Sequence, residues 1–271
     1  VRGLAKVGAK VLGVGDQPAG ALPAEAREAL HDYLQVSSFG DEGKAIAEIR
    51  QWLRGRHVDR VECLWERLMY LAAGLREAFG LHGMSRAQTA IFRNKEAMKQ
   101  AVEKAGLRVP RHGRARSTKE AWAAVMRCGY PAIVKPIDGA GSKDTYRCND
   151  AREFDQALAK VKHIDELSVE EFIEGEELTY DTVCADGRIL FENVAWYKPK
   201  PMILAQNPWI SMQNIVLRDL TDEMPRPGVE LGHGVLKALG FQTGFTHMEW
   251  FRTDKGEAVF EIGRASCRER V

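Results

Sequence analysis

The sequence predicts a mixed α/β (α+β) protein, and three patterns along the chain indicate this fold class. Helical and strand-like segments alternate over residues 1–84, as in a small parallel sheet layer. An apolar run at 132–134, two of whose residues are β-branched, is followed after three intervening residues by the glycine-rich stretch 138–142. Two strand-like segments near the end, at 245–251 and 258–261, flank a turn and therefore predict a hairpin.

The first part of the chain, residues 1–84, is predicted to form a small Rossmann-like layer. Helices are predicted at 1–10, 24–34, 43–54 and 69–79, and strands at 11–14 and 58–64. Because a helix and a strand come first, we expect that a first strand is missing ahead of Val1. No GxGxxG motif occurs here, so the layer does not indicate a dinucleotide site.

The next part, residues 85–167, is predicted to be a small sheet with helices packed on it. Helices are predicted at 85–104, 118–128 and 151–161, and strands at 132–134 and 146–148. Ser117 and Asp150 are expected to cap the second and third of these helices. Lys95 lies inside the first helix and, considered alone, is an exposed helix lysine.

The stretch around Lys135 carries the first chemical signal. Lys135 lies on or beside the strand at 132–134, where an unpaired ammonium would be costly to bury, so a nearby anion is expected. Gly139, Gly141 and Ser142 follow, and such small residues let successive backbone N–H groups point at one anion. The stretch predicts a phosphate cradle or, equally, a hairpin turn beside a surface lysine. It lacks the Gly-Lys-Ser/Thr ending of a Walker motif.

The second half of the chain is predicted to consist mainly of strands. A strand or extended linker is predicted at 169–173, a hairpin at 178–185 and 189–197, a helix at 229–239, and a loop that is a candidate lid at 198–213. Glu170 and Glu177 lie on either side of Gly175. The neighbouring carboxylates are expected to be solvated at a sheet edge, namely Glu171, Glu174 and Glu176.

The predicted hairpin near the end carries two more carboxylates of interest. Glu249 and Glu261 stand on its two strands, and on paired strands they can share one face. Two hard oxygen ligands on adjacent strands suit Mg²⁺, with phosphate completing the coordination. His247 precedes Glu249 by two positions and therefore points to the same face, either as a ligand or substrate contact or as a structural histidine.

The composition limits the classes of function. The 39 basic and 38 acidic residues give a formal net charge of +1, so no overall field attracts nucleic acid or an anionic membrane. No apolar run approaches the length of a membrane span. The 5 cysteines have no CxxC spacing and are expected to be reduced packing residues of a cytoplasmic protein.

Taken in order, the strand lysine, the glycine-rich turn, the glutamate-rich linker and the two late carboxylates resemble the ATP-grasp superfamily. Their order is similar to that in biotin carboxylase, carbamoyl-phosphate synthase and D-alanine–D-alanine ligase. The resemblance covers residues 85–261 and implies two α+β subdomains that clamp ATP, at about 85–167 and 168–261, the second of them truncated. It also implies that residues 1–84 are the pre-ATP-grasp domain that precedes this module.

The resemblance assigns a phosphate-binding site by position. Lys95 and Lys135 match the two lysines that contact the nucleotide phosphates. Gly139, Gly141 and Ser142 match the flap that covers those phosphates. The flap continues differently from that of many members, which have a glycine followed by an aliphatic residue, so its dynamics are expected to differ.

The resemblance assigns the rest of the nucleotide to the linker. Glu170 and the backbone around Phe172 and Ile173 match the family's adenine contacts. Glu177 matches the residue that contacts the ribose. These roles are implied by the family pattern and not by the residue types alone.

The function implied by the resemblance is that of an ATP-dependent, ADP-forming ligase. Glu249 and Glu261 match the carboxylates that bind magnesium or manganese, and His247 would be the catalytic residue near the reacting groups. Such a ligase activates a carboxylate as an acyl phosphate, which an amine or similar nucleophile then attacks. The expected partners are small-molecule carboxylates and amines, with a homo-oligomer allowed and neither nucleic acid nor membrane. The alternative is a non-catalytic nucleotide-binding module or an inactive fragment, and a dehydrogenase is disfavoured by the missing dinucleotide fingerprint.

The end of the chain, residues 262–271, departs from the family pattern. The family usually has Asn or a small residue, then Arg and glycines, after the second metal carboxylate, whereas this chain has Gly263, Arg264 and Ala265. The sequence IGRASCRERV is also one translation of the complement of a common sequencing adapter. We therefore expect a non-native tail, which resequencing of the locus with a different library chemistry would test.

Overall fold

The computed structural model describes residues 1–137, 144–200, 203–204, 207 and 209–261. The expectations for Gly139, Gly141, Ser142 and the tail at 262–271 lie outside these residues. The described residues divide into two compact units, residues 1–86 and residues 87–261. In the described part of the chain, no helix is both long enough and apolar enough to span a membrane.

The first unit contains a two-stranded parallel sheet and helices. Its elements are α1 (Arg2–Lys6), β1 (Leu12–Gly15), α2 (Ala24–Glu28), β2 (Asp32–Gln35), α3 (Glu42–Leu53) and α4 (Met69–Phe79). Strand β1 pairs with β2 in parallel, with Leu12 opposite Asp32. The core of the unit is apolar and comes from the residue after β2 and from α3 and α4; its buried members are Val36, Ala45, Ile49, Leu53, Leu71 and Leu75.

Two sequence-based expectations for this unit are wrong. Residues 24–34 are not one helix, because α2 ends at Glu28 and the backbone from Asp32 pairs with β1 instead. Residues 58–64 do not form a strand, and the carbonyl of Val61 accepts from Arg76 Nε at 2.9 Å rather than from a neighbouring strand. In the described residues of this unit, the second strand is therefore β2 and not the predicted segment 58–64, and a Rossmann-like domain is not shown.

The second unit holds two antiparallel sheets covered by helices. Its helices are α5 (Arg86–Arg93, which begins at the last residue of the first unit), α6 (Lys95–Lys104), α7 (Thr118–Cys128), α8 (Ala151–Lys160) and α9 (Arg226–Ala238). Its strands are β3 (His112–Ala115), β4 (Ala132–Pro136), β5 (Tyr146–Cys148), β6 (Leu167–Glu171), β7 (Glu176–Ala185), β8 (Arg188–Lys198), β9 (Gln213–Val216), β10 (Gly244–Arg252) and β11 (Ala258–Glu261).

The smaller sheet has the strand order β3-β6-β4-β5 and packs against α7 and α8. The helix starts are capped as predicted: Ser117 Oγ accepts from the Glu120 N–H at 3.2 Å, and Asp150 Oδ1 accepts from the Glu153 N–H at 2.8 Å. The predicted helix at 85–104 is in fact two helices. Asn94 separates them, because its side chain caps the start of α6 and accepts from the N–H groups of Glu96 and Ala97.

The larger sheet has the strand order β11-β10-β7-β8-β9, and one of its faces packs against α9. Close packing on that face depends on two helix glycines. A Cβ atom at Gly228 would lie 2.0 Å from the Trp250 ring, and one at Gly232 would lie 2.3 Å from the Tyr180 ring. The hairpin of β10 and β11 is confirmed, whereas β9 was missed: the predicted loop at 198–213 included only its first residue, Gln213, and no strand was predicted after it.

Candidate functional site

Lys135 lies at the centre of a buried group of charges in the second unit. It stands on β4, is 5% exposed, and its Nζ lies 2.8 Å from Glu170 Oε2 and 3.0 Å from Glu261 Oε1. Burial opposes its charge, but the carboxylates of Glu170 and Glu261 outweigh that effect and hold the pKa of Lys135 above its usual range. The reading of Lys135 as a surface lysine beside a hairpin turn is therefore wrong.

Glu170 connects Lys135 to a second buried lysine. Glu170 on β6 is 2% exposed, and its Oε1 accepts from Lys99 Nζ and from the Ser168 hydroxyl at 2.7 Å. Burial alone would raise the pKa of Glu170, but the ammonium groups of Lys135 and Lys99 hold that pKa well below its usual range. Glu170 is therefore a carboxylate with a cation on each side.

Lys99 is a site residue that the sequence analysis missed. It lies on α6, one helical turn after Lys95, and is 0% exposed. Burial pulls the pKa of Lys99 downwards, which is the expected cost of removing an ammonium group from water. The available signal was the four-residue spacing from Lys95, which places both lysines on one side of the helix.

Lys95 contacts Ile137, the last described residue before the glycine-rich stretch. It is half-buried, and its Nζ donates to the backbone carbonyl of Ile137 at 3.2 Å. Considered alone, Lys95 was expected to be an exposed helix lysine, and that expectation is wrong. The structure therefore brings Lys95 on α6 to the end of the segment that carries Lys135, directly before the stretch 138–143.

Glu249 and Glu261 lie directly opposite each other on β10 and β11, which confirms that they share one face of the sheet. Glu249 is 4% exposed, and Glu261 accepts from Lys135. Carboxylate oxygens in this arrangement are the ligands that Mg²⁺ prefers. Among the described residues, no group of three or more His, Cys, Asp and Glu side chains is arranged to hold a metal. The pair fits a cation that takes its remaining ligands from phosphate and water.

The residues expected to bind the base and ribose lie on the same unit. Glu177 on β7 is 2% exposed and stands opposite Phe251 on β10, so its side chain shares the sheet face of Glu249. Phe172 donates its N–H to the Pro131 carbonyl at 3.0 Å, and Ile173 is buried. The roles assigned to Glu170, Phe172, Ile173 and Glu177 stay predictions.

His247 is held by a carboxylate that the sequence analysis also missed. His247 on β10 stands opposite Asp181 on β7, and its Nδ1 lies 2.5 Å from Asp181 Oδ1. This hydrogen bond uses Nδ1 and leaves Nε2 as the ring nitrogen that can meet a substrate. His247 lies on the sheet face of Glu249, as the two-residue spacing predicted.

Glu171 and Glu176 were expected to be solvated carboxylates at a sheet edge. Both instead accept hydrogen bonds from protein side chains, so that expectation is wrong for them. Glu171 accepts from Arg108 Nη2 through both of its oxygens at 3.1 Å, and also from Arg111. Glu176 accepts from Trp196 Nε1 and from Lys198 Nζ, each at 2.9 Å. Glu171 thus links β6 to the segment 108–111, and Glu176 links β7 to β8.

Among known protein families, the model of the ATP-grasp domain matches residues 92–195. The chain is 28% identical over 220 residues to the L-arginine-specific L-amino acid ligase of Bacillus subtilis, a match that covers 78% of this chain and 51% of that protein. The chain thus spans about half the length of this relative.

Two solved structures show the same fold. The L-amino acid ligase from Bacillus licheniformis matches with a TM-score of 0.71 and 21% identity, over 93% of this chain and 66% of that one. An ADP complex of N5-carboxyaminoimidazole ribonucleotide synthetase matches with a TM-score of 0.73 and 18% identity, over 95% of this chain and 64% of that one. The predicted fold class is therefore confirmed.

Proposed function

Because this chain contains an ATP-grasp domain, we propose that it is the ATP-binding part of a ligase that activates a carboxylate as an acyl phosphate. An amine or similar nucleophile then displaces phosphate, so that the products from ATP are ADP and phosphate. The observation that carries the proposal is the buried position of Lys135, with Glu170 on one side and the paired carboxylates Glu261 and Glu249 on the other. A buried cation beside a potential metal site is suited to a transferring phosphoryl group.

In the proposed mechanism, Lys95 and Lys135 bind the phosphates and neutralise the charge that develops during transfer. Glu249 and Glu261 would hold Mg²⁺, or Mn²⁺, which when bound supplies positive charge beside the phosphate oxygens. A carboxylate oxygen of the first substrate attacks the γ-phosphorus and ADP leaves. The nucleophile then attacks the acyl carbon and phosphate leaves with that oxygen.

His247 is the residue proposed to meet the acyl phosphate. Asp181 fixes the imidazole through Nδ1, so the ring is oriented before substrate binds. Nε2 then lies on the sheet face of the proposed metal ligands, where it would donate to the charge developing on the acyl phosphate. Removal of His247 should therefore affect turnover more than ATP binding.

The proposed substrate class is taken from the similar proteins. The relatives include an L-amino acid ligase, so we propose small carboxylates and amines, amino acids among them, as the first substrates to screen. We also propose that residues 1–84 serve as the pre-ATP-grasp domain. We also propose a cytoplasmic enzyme. Four cysteines of the described residues take part in no disulfide; they are Cys63, Cys128, Cys148 and Cys184.

A second candidate function is that of a nucleotide-binding module without its own turnover. Screening pairs of amino acids and amines for phosphate release separates the two functions. Formation of ADP and phosphate supports the ligase; AMP and pyrophosphate would contradict it, and absence of turnover with every pair would favour the module.

For the pair that reacts, we expect His247→Ala to lower kcat about 100-fold, the usual order for loss of one donor to a developing negative charge. The Kd for ATP should change little, because His247 is proposed to contact the acyl phosphate and not the nucleotide. His233→Ala is the matched control, since His233 lies on α9 and contacts Glu192. Steady-state kinetics with ATP titration calorimetry checks both values, and an unchanged kcat in His247→Ala would remove His247 from the mechanism.

A further inference from the structure

Lys99 is a buried lysine that the proposed mechanism does not yet use. It is 0% exposed, and its Nζ donates to Oε1 of Glu170, which is itself 2% exposed. Burying an ammonium group is costly, and lysine is almost never fully buried without a partner that compensates the charge. A second lysine beside one carboxylate, in addition to Lys135, therefore needs an explanation of its own.

The hydrogen bonds of Glu170 show how Lys99 fixes the orientation of this carboxylate. Oε1 accepts from Lys99 and from the Ser168 hydroxyl at 2.7 Å, whereas Oε2 lies 2.8 Å from Lys135 Nζ. A carboxylate has about four acceptor positions, and three of them are filled here. With donors on both oxygens the carboxylate has a fixed orientation, and Oε2 therefore gives Lys135 a fixed partner.

The balance of charge in this buried group explains why Lys135 alone does not compensate its carboxylates. Lys135 also lies 3.0 Å from Glu261, so two carboxylates face its single ammonium group. Without Lys99, this buried group would carry an excess negative charge next to the place proposed for the ATP phosphates, and would repel them. Lys99 balances Glu170, so that of the two carboxylates only Glu261 competes with an incoming anion for the charge of Lys135.

We propose that Lys99 and Ser168 are positioning residues that act through Glu170 to hold Lys135 in place for the phosphates of ATP. This inference rests on the proposed function, because it requires that Lys135 contacts ATP. Since Lys99 is fully buried, its effect reaches the nucleotide through Glu170. The pair adds a second layer of residues behind the phosphate-binding lysine.

The test is titration calorimetry of the protein with Mg-ATP. Lys99→Met keeps the length of the side chain and removes the charge, and should weaken binding tenfold or more, by roughly the value of a hydrogen bond to a charged group. Ser168→Ala removes one neutral donor to Glu170 and should weaken binding about three- to tenfold. Lys104→Met is the control, because Lys104 is exposed at the end of the same helix, and it should bind like the unchanged protein.

A double variant separates positioning from simple stability. Lys99→Met with Glu170→Gln restores the charge balance, so the thermal stability should recover relative to Lys99→Met. The affinity for Mg-ATP should stay low, because Lys135 has lost its orienting carboxylate. Recovery of the affinity together with the stability would overturn the inference, since Lys99 would then be only structural.

The outcomes also separate this inference from the proposed function. Should Lys99→Met fail to fold, Ser168→Ala decides the matter, and an affinity equal to that of the unchanged protein overturns the positioning role. If the unchanged protein binds Mg-ATP and Ser168→Ala binds it equally well, only this inference fails. If the unchanged protein does not bind Mg-ATP, the proposed function fails and this inference fails with it.

Discussion

Glu249→Gln and Glu261→Gln should each abolish the tightening of ATP binding by magnesium. The amide keeps the shape of the side chain but removes the charge that a hard cation requires. Because the two carboxylates lie opposite each other on β10 and β11, loss of either one leaves a single protein carboxylate for the metal. The effect should therefore be close to complete in both variants.

The two variants should behave differently when the metal is absent. Glu261 contacts Lys135, so Glu261→Gln also releases Lys135 from a competing anion, and ATP binding without metal should not weaken. Glu257→Gln on the same hairpin is the control, since Glu257 is exposed and lies 3.7 Å from Arg108. ATP titrations with and without MgCl₂ measure this, and magnesium dependence that survives in both site variants would refute the metal site.

Lys135→Ala should weaken ATP binding strongly and also destabilise the fold. A lost charge-assisted contact to phosphate costs about 1.5 to 3 kcal/mol of binding free energy. Glu261 would lose its lysine partner and Glu170 would keep only Lys99 and Ser168, which should also cost about 3 to 5 kcal/mol in the free energy of unfolding, as when one partner of a buried ion pair is removed. Lys135 should thus be the most sensitive lysine of the unit.

Lys160→Ala is the matched control for Lys135→Ala, because Lys160 ends α8 and its ammonium lies 5.0 Å from the centre of the Tyr146 ring, away from the buried charges. Calorimetry with ATP and urea unfolding measure the two effects separately. Lys143→Ala is also expected to matter less than Lys135→Ala. An affinity in a folded Lys135→Ala protein equal to that of the unchanged protein would remove Lys135 from the phosphate site.

Local sequence patterns predicted much of the second unit. The β-branched run before Lys135, the caps at Ser117 and Asp150 and the turn before β11 are each decided by neighbouring residues, so they could be found without a structure. The position of Glu249 and Glu261 on one face of the sheet follows from the hairpin of β10 and β11, because short hairpins fix the register of their strands.

The residues that were missed depend on partners distant in the sequence. Lys99 is 71 residues from Glu170, and Asp181 is 66 residues from His247. Their spacing carries no local signal for pairing, since only the folding of α6 onto β6, or of β7 beside β10, brings the partners together. The same holds for β2, whose strand conformation depends on pairing with β1 rather than on its own residues.

The most direct test of the proposed chemistry follows one oxygen atom. In the acyl-phosphate mechanism, a carboxylate oxygen forms a bond to the γ-phosphorus of ATP, and the nucleophile later breaks the bond between that oxygen and the acyl carbon. With a carboxylate substrate labelled with oxygen-18, the released phosphate should therefore carry the label, as measured by mass spectrometry. Unlabelled phosphate, or label recovered in AMP, would contradict an acyl-phosphate intermediate.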